Sequence, residues 1–265
     1  MKKITVLIFF SMFSRYLISQ NITGVVYYNL TVLSDTLHDV ELTQKASLYF
    51  DIEEKKSLYV TRRENNNEIR KPPKVTAKKD GSLSIKNTQL PFDKIGEITY
   101  KNHKVKELIC RDFISDKPFI VLDEYPDVKW DIKSEQKNIL GFSCQKAEGD
   151  FRGRHYIAWF TDKIPIPDGP WKLCGLPGLI LEVFDKKKYI HFELQSVELP
   201  KLFDEIIQAP TEGESIKFID FYKKNKESAK EALKRFLANT GNLDANVSVS
   251  GGIVEATQLE RNIQE

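Results

Sequence analysis

Short runs rich in β-branched and aromatic residues follow one another along most of this chain, separated by polar or glycine-containing turns, with no helical period until near its end. The runs are Asn21 to Leu33, Ala46 to Phe50, Ser57 to Thr61, Ser82 to Lys86, Glu97 to Tyr100, Lys106 to Phe113, Phe119 to Asp123, Asp127 to Ser134, Phe151 to Thr161, Leu179 to Phe184 and Tyr189 to Leu199. Parallel neighbours need a crossover, usually a helix, and no helical pattern intervenes between these runs. The expectation is therefore a mainly β fold, a curved antiparallel sheet or open barrel. A polar stretch from Arg62 to Asp80, with Asn65-Asn66-Asn67 and Lys71-Pro72-Pro73-Lys74, reads as a long solvated loop.

One amphipathic helix is predicted, from about Lys226 to Asn239. Ala229, Ala232, Leu233, Phe236 and Leu237 make a single apolar stripe and Gly241 is placed to stop it. At the other end, Lys2 and Lys3 precede the apolar run Ile4 to Phe13, and a small residue follows at Ser19. That is the pattern of a secretory signal peptide. Its apolar core is about half of what a bilayer requires, so a membrane span is not expected. The expected organisation is a signal peptide at 1–19, an antiparallel β domain at 20–210, a helical segment packed on the sheet at 211–241 and a polar tail at 242–265. With 40 basic against 38 acidic side chains the formal charge is +2. That balance gives no nucleic-acid footprint.

The most heavily shaped stretch runs from Trp159 to Phe184, where Pro165, Pro167, Pro170 and Pro177 are interleaved with Gly169, Gly175 and Gly178 between two strand candidates. Asp168-Gly169-Pro170 is one turn, and Leu176-Pro177-Gly178-Leu179 fits a type II turn, with proline fixing φ and glycine free to take φ above zero. The segment reads as a stiff arch. Just before it, a strand's period of two puts Arg152, Arg154 and Tyr156 on one face. Two guanidiniums there suit the grip of a carboxylate or phosphate. The competing reading is a solvated or ion-paired arginine row. With Trp171 on the arch, these are the candidate contacts to a ligand or partner.

Catalytic signatures are sparse. The four histidines form no His-x-x-x-His pair, and neither Gly-x-Ser-x-Gly nor a glycine-rich phosphate loop occurs. The best nucleophilic constellation is Cys174 with His155 and Asp168. No metal site and no cofactor are expected. Cys110, Cys144 and Cys174 are disulfide candidates in an oxidising compartment, with three pairings open.

Leu140 to Ala147, Phe151 to Arg154, Trp159, Ile164-Pro165, Gly169-Pro170 and the run Gly175-Leu176-Pro177-Gly178-Leu179-Ile180 together resemble the successive blocks of the GLPGLI family of secreted Bacteroidetes proteins. The resemblance covers Trp130 to Phe184. It implies an exported, mostly antiparallel β protein with no established activity, cofactor or catalytic residue. Cys144 stands where the family often has a cysteine, whereas Cys110 and Cys174 fall outside its blocks. The expectation is an exported, non-catalytic envelope protein, in the periplasm, at the cell surface or outside, that binds an apolar ligand or an outer-membrane partner protein. The alternatives are a thiol-dependent enzyme using Cys174 with His155, and a purely structural envelope component.

Overall fold

The computed structural model describes residues 22–35, 40–61, 74–77, 83–86, 95–202 and 207–239. The predicted signal peptide and the polar tail with Gly241 lie outside the described residues, and of the polar stretch from Arg62 to Asp80, read as a loop, only Lys74–Ala77 is described, as a strand. Within them the strands are β1 (Thr23–Asp35), β2 (Val40–Asp51), β3 (Lys56–Thr61), β4 (Lys74–Ala77), β5 (Leu83–Lys86), β6 (Glu97–Asn102), β7 (Glu107–Ile114), β8 (Lys117–Asp123), β9 (Asp131–Ile139), β10 (Phe142–Phe151), β11 (Arg154–Thr161), β12 (Leu179–Asp185), β13 (Ile190–Glu198) and β14 (Glu214–Lys217), followed by helix α1 (Phe218–Asn239).

Twelve strands form one open sheet in the order β14-β8-β7-β6-β3-β2-β1-β13-β12-β11-β10-β9, and β4 and β5 pair separately. The sheet is antiparallel as expected, except that β14 joins β8 in parallel. It is also curled. Tyr59 on β3 and Phe192 on β13 stand three strands apart, which would be roughly 14 Å in a flat sheet. Their ring centroids are 6.2 Å apart. The inner face carries Val26, Tyr28, Leu30, Leu48, Phe50, Ala158, Val183 and Phe192, all buried in one core with Ile164, Ile166, Leu173 and Leu176 from the arch. The arch thus fills the concavity that the sheet encloses.

Three local outcomes differ from the sequence reading. Phe151 to Thr161 is not one strand: β10 ends at Phe151 and β11 begins at Arg154, with Arg152 and Gly153 at φ +49° and +75°. Two positive-φ residues closing a two-residue hairpin are a type I′ turn, matched to strand twist. Strand β10 itself carries no hydrophobic alternation, because its inward positions are small. Ala147 and Gly149, opposite Ala158 and Tyr156, are buried, and a Cβ on Gly149 would stand 2.9 Å from the Trp130 ring. The helix begins eight residues before Lys226, since Phe218 and Phe221, at i and i+3, dock its first turn. Phe221 meets Phe119 edge to face at 5.9 Å. Side chains of the predicted stripe, Ala229, Ala232, Leu233, Phe236 and Leu237, lie outside the described residues.

Candidate functional site

Prolines shape the arch through three-residue turns. Ile166 N donates to Ile164 O at 2.9 Å, Asp168 N to Ile166 O at 2.8 Å, and Gly178 N to Leu176 O at 2.8 Å. Each bond closes around a proline, whose φ near −65° lies close to that of an inverse γ-turn. The type II turn expected at Leu176 to Leu179 is thereby replaced: Gly178 takes φ +153°, and Leu179 N donates to Ile164 O instead. Leu173 N donates to Pro170 O at 3.1 Å across a turn in which Trp171 holds φ +52°. A bulky residue there is strained and must be held by its surroundings.

Lys101, inward-facing on β6, supplies that hold. Its side chain is fully buried and forms an ion pair with Asp168, also fully buried, while Nζ donates to Gly169 O at 2.7 Å and Trp171 O at 2.8 Å. Three ammonium protons meet three acceptors. Asp168 also accepts from its neighbour Gly169 N at 2.7 Å and from His103 Nε2 at 3.1 Å. Burial alone would raise the Asp168 carboxyl, but the charges of Lys101 and His103 and their hydrogen bonds outweigh it and hold the group well below the usual carboxylate range. His103 Nδ1 lies 2.5 Å from Tyr125 Oη, to which the Cys174 thiol donates at 3.7 Å. A chain of polar contacts therefore runs from Cys174 through Tyr125 and His103 to Asp168 and Lys101.

A second buried carboxylate lies two residues before Tyr125. Asp123 accepts from Arg152 Nη2 and from Lys172 Nζ, each at 2.7 Å. The Arg152 guanidinium and the Lys172 ammonium both lie over the Phe218 ring, at 4.1 and 4.5 Å. This clamp joins the β10–β11 turn, the arch, the end of β8 and the start of α1. Arg154, on the inner face of β11, pairs with buried Asp185 at 3.1 Å. The two arginines serve different carboxylates, so neither forms the shared anion grip read from their spacing. Tyr156 is buried in the core beside them.

The nucleophilic constellation is likewise redistributed. His155 sits on the outer face with Asp150 at 2.9 Å and Glu148 at 3.6 Å, while Cys174 is a buried residue of the arch itself. It is His103, not His155, that shares a network with Cys174 and Asp168. All three cysteines are buried thiols, on β7, β10 and the arch, and no disulfide joins them. Burial pushes both the Cys144 and the Cys174 thiols up to about 11. At pH 8 roughly one thiol in a thousand is then ionised, and the thiolate is the reactive form. Iodoacetamide at pH 8 is therefore expected to leave Cys144 and Cys174 unmodified in the folded protein and to label both in guanidinium chloride, read by peptide mass mapping. Labelling of Cys174 at the native-state rate of an exposed thiol would show that the arch opens.

Sequence reasoning did not single out Lys101, His103, Asp123, Tyr125 or Lys172. Lys101 had one legible signal: it shares its strand phase with Thr99, opposite Ile98 and Tyr100, so one face of β6 had to bury a lysine if both faces were covered. Both are. Ile207 and Ala209 pack over the outer side with Leu58, Val60 and Tyr100.

A model of a family described as a protein of unknown function (Porph_ging) matches residues 152–182. That span contains Arg152, β11, the whole arch and the first residues of β12. No curated protein matches. Among solved structures, PNGF-II in two crystal forms has TM-scores of 0.51 and 0.52 at 16% identity, over 78% of this chain and 33% of that one. The chain thus spans about a third of the PNGF-II chain, and the likeness is one of fold. An uncharacterised conserved protein from Thermus thermophilus matches at a TM-score of 0.39 and 8% identity, over 74% of this chain and 90% of that one.

Proposed function

We propose that this chain is an exported, non-catalytic envelope protein of the GLPGLI type that works by binding a partner protein on the outer face of its sheet. The observation that carries the reading is the filled concavity: Ile164, Ile166, Leu173 and Leu176 of the arch are at most 1% exposed. An apolar ligand carried inside would have to displace them. What supports an outer-face role is the surface across β9 to β13. There Lys137 lies over the Trp159 ring at 4.5 Å and pairs with Glu182, which also accepts from His191 Nε2 at 3.0 Å. Half-buried Phe184 meets His191 edge to face at 5.6 Å. An aromatic ring flanked by paired charges is the usual composition of a protein-binding patch.

The test is a photo-crosslinking side chain placed in turn at positions 135, 157 and 159 in whole cells of the source organism. The expected result is one discrete protein adduct from position 159. Recovery of the native protein with a bound acyl chain by gentle mass spectrometry, with no adduct at any of the three positions, would overturn the reading in favour of carriage.

A further inference from the structure

The outer face also holds a depression that the partner-binding reading does not use. It has a volume of about 400 Å³ and is lined by Tyr27 and Asn29 of β1, Lys45, Ser47 and Tyr49 of β2, and Gln195 of β13, with Val60 of β3, Tyr28 and Ala46 completing the wall. Small-molecule sites fall between about 300 and 1,000 Å³. Strand alternation sets Tyr27 and Asn29 opposite Val26, Tyr28 and Leu30, which are core residues. The depression lies at an irregularity. Along β1 and β13 the register passes from Tyr28↔Leu194 to Tyr27↔Ser196, so Gln195 has no partner opposite it. Such a bulge re-aims a side chain, and bulges concentrate beside binding sites.

We infer that this depression is a binding site for a saccharide ring. Two tyrosine rings present flat apolar faces, while an asparagine, a glutamine and a serine present neutral donors and acceptors. A pyranose has the same two characters, C–H faces and a rim of hydroxyls. An acyl chain would use the tyrosine rings and Val60 but leave the amides and the serine hydroxyl without a role. An anionic ligand would find one cation, Lys45, whose exposed position weakens its pull.

Maltotetraose, cellotetraose and chitotetraose, each titrated into the isotope-labelled protein, test the assignment, with uridine monophosphate and a short fatty acid as controls. Chemical-shift changes from at least one oligosaccharide are expected at Tyr27, Asn29 and Gln195. Tyr27→Ala should weaken that binding about tenfold or more, and Gln195→Ala should weaken it severalfold, with melting temperatures near the parent's. Silence at these residues with all three oligosaccharides, or changes there from a control alone, would overturn the assignment. Either result leaves the adduct at position 159 to be judged separately.

Discussion

Asp168→Ala is expected to lose about 3–5 kcal/mol of stability, because it leaves the Lys101 ammonium fully buried with no counter-charge. Lys101→Met should lose a comparable amount by stranding the carboxylate and two arch carbonyls, Gly169 O and Trp171 O. The double variant should cost clearly less than the sum, since apolar replacement of both partners removes the unpaired charge. A chemical-denaturation cycle measures this. Additive single effects would show that the two groups do not meet. The pair also sets a pH signature. The folded carboxyl is held below its unfolded value near 3.9, so its contribution is present above that value and is lost as pH falls through it toward the folded value. Asp168→Asn should therefore show a flatter fall in melting temperature between pH 4 and pH 2.5 than the parent.

Much of the fold was legible because it rests on local chemistry. Alternation located most strands, and the absence of intervening helices predicted antiparallel pairing. The proline and glycine positions predicted an arch. What was not legible depends on groups brought together over long sequence distances. Lys101 and Asp168 are 67 residues apart in sequence, and Asp123 and Lys172 are 49 apart; no spacing rule links them. Small inner residues hid β10, because its partner in packing is Trp130 from outside the strand. Strand β14 was missed because four residues at a sheet edge, only one of them half-buried, carry no apolar signal. The arginine row failed as a site for a different reason: the period of two was applied across a hairpin turn, where φ is positive and the period does not hold. The nearby histidine in sequence, His155, drew attention that belonged to His103, which reaches the arch only because the sheet curls.

The same arch gives the sharpest geometric prediction, a contrast between two of its glycines. A Cβ on Gly178 would stand 2.1 Å from Thr161 O and 2.7 Å from Thr161 C, both backbone atoms. Side-chain rotation cannot relieve that collision. Thr161 pairs with Leu179 in the β11–β12 ladder, so yielding means parting the strands where Leu179 N also ties back to Ile164 O. A Cβ on Gly175 would meet nothing nearer than Trp130 Nε1 at 3.8 Å, leaving only the cost of φ +97°. Gly175→Ala should therefore cost about 1–2 kcal/mol. Gly178→Ala should exceed about 4 kcal/mol, the range of the most severe single substitutions. For a domain of this size that is a drop of roughly 8–16 °C in melting temperature. Calorimetry on the two variants checks the order as well as the size. Equal effects would mean that backbone conformation, shared by both glycines, governs the arch. The expected inequality would instead place the constraint in the close approach of Gly178 to Thr161, and would explain why glycine is needed at the end of the arch more than in its middle.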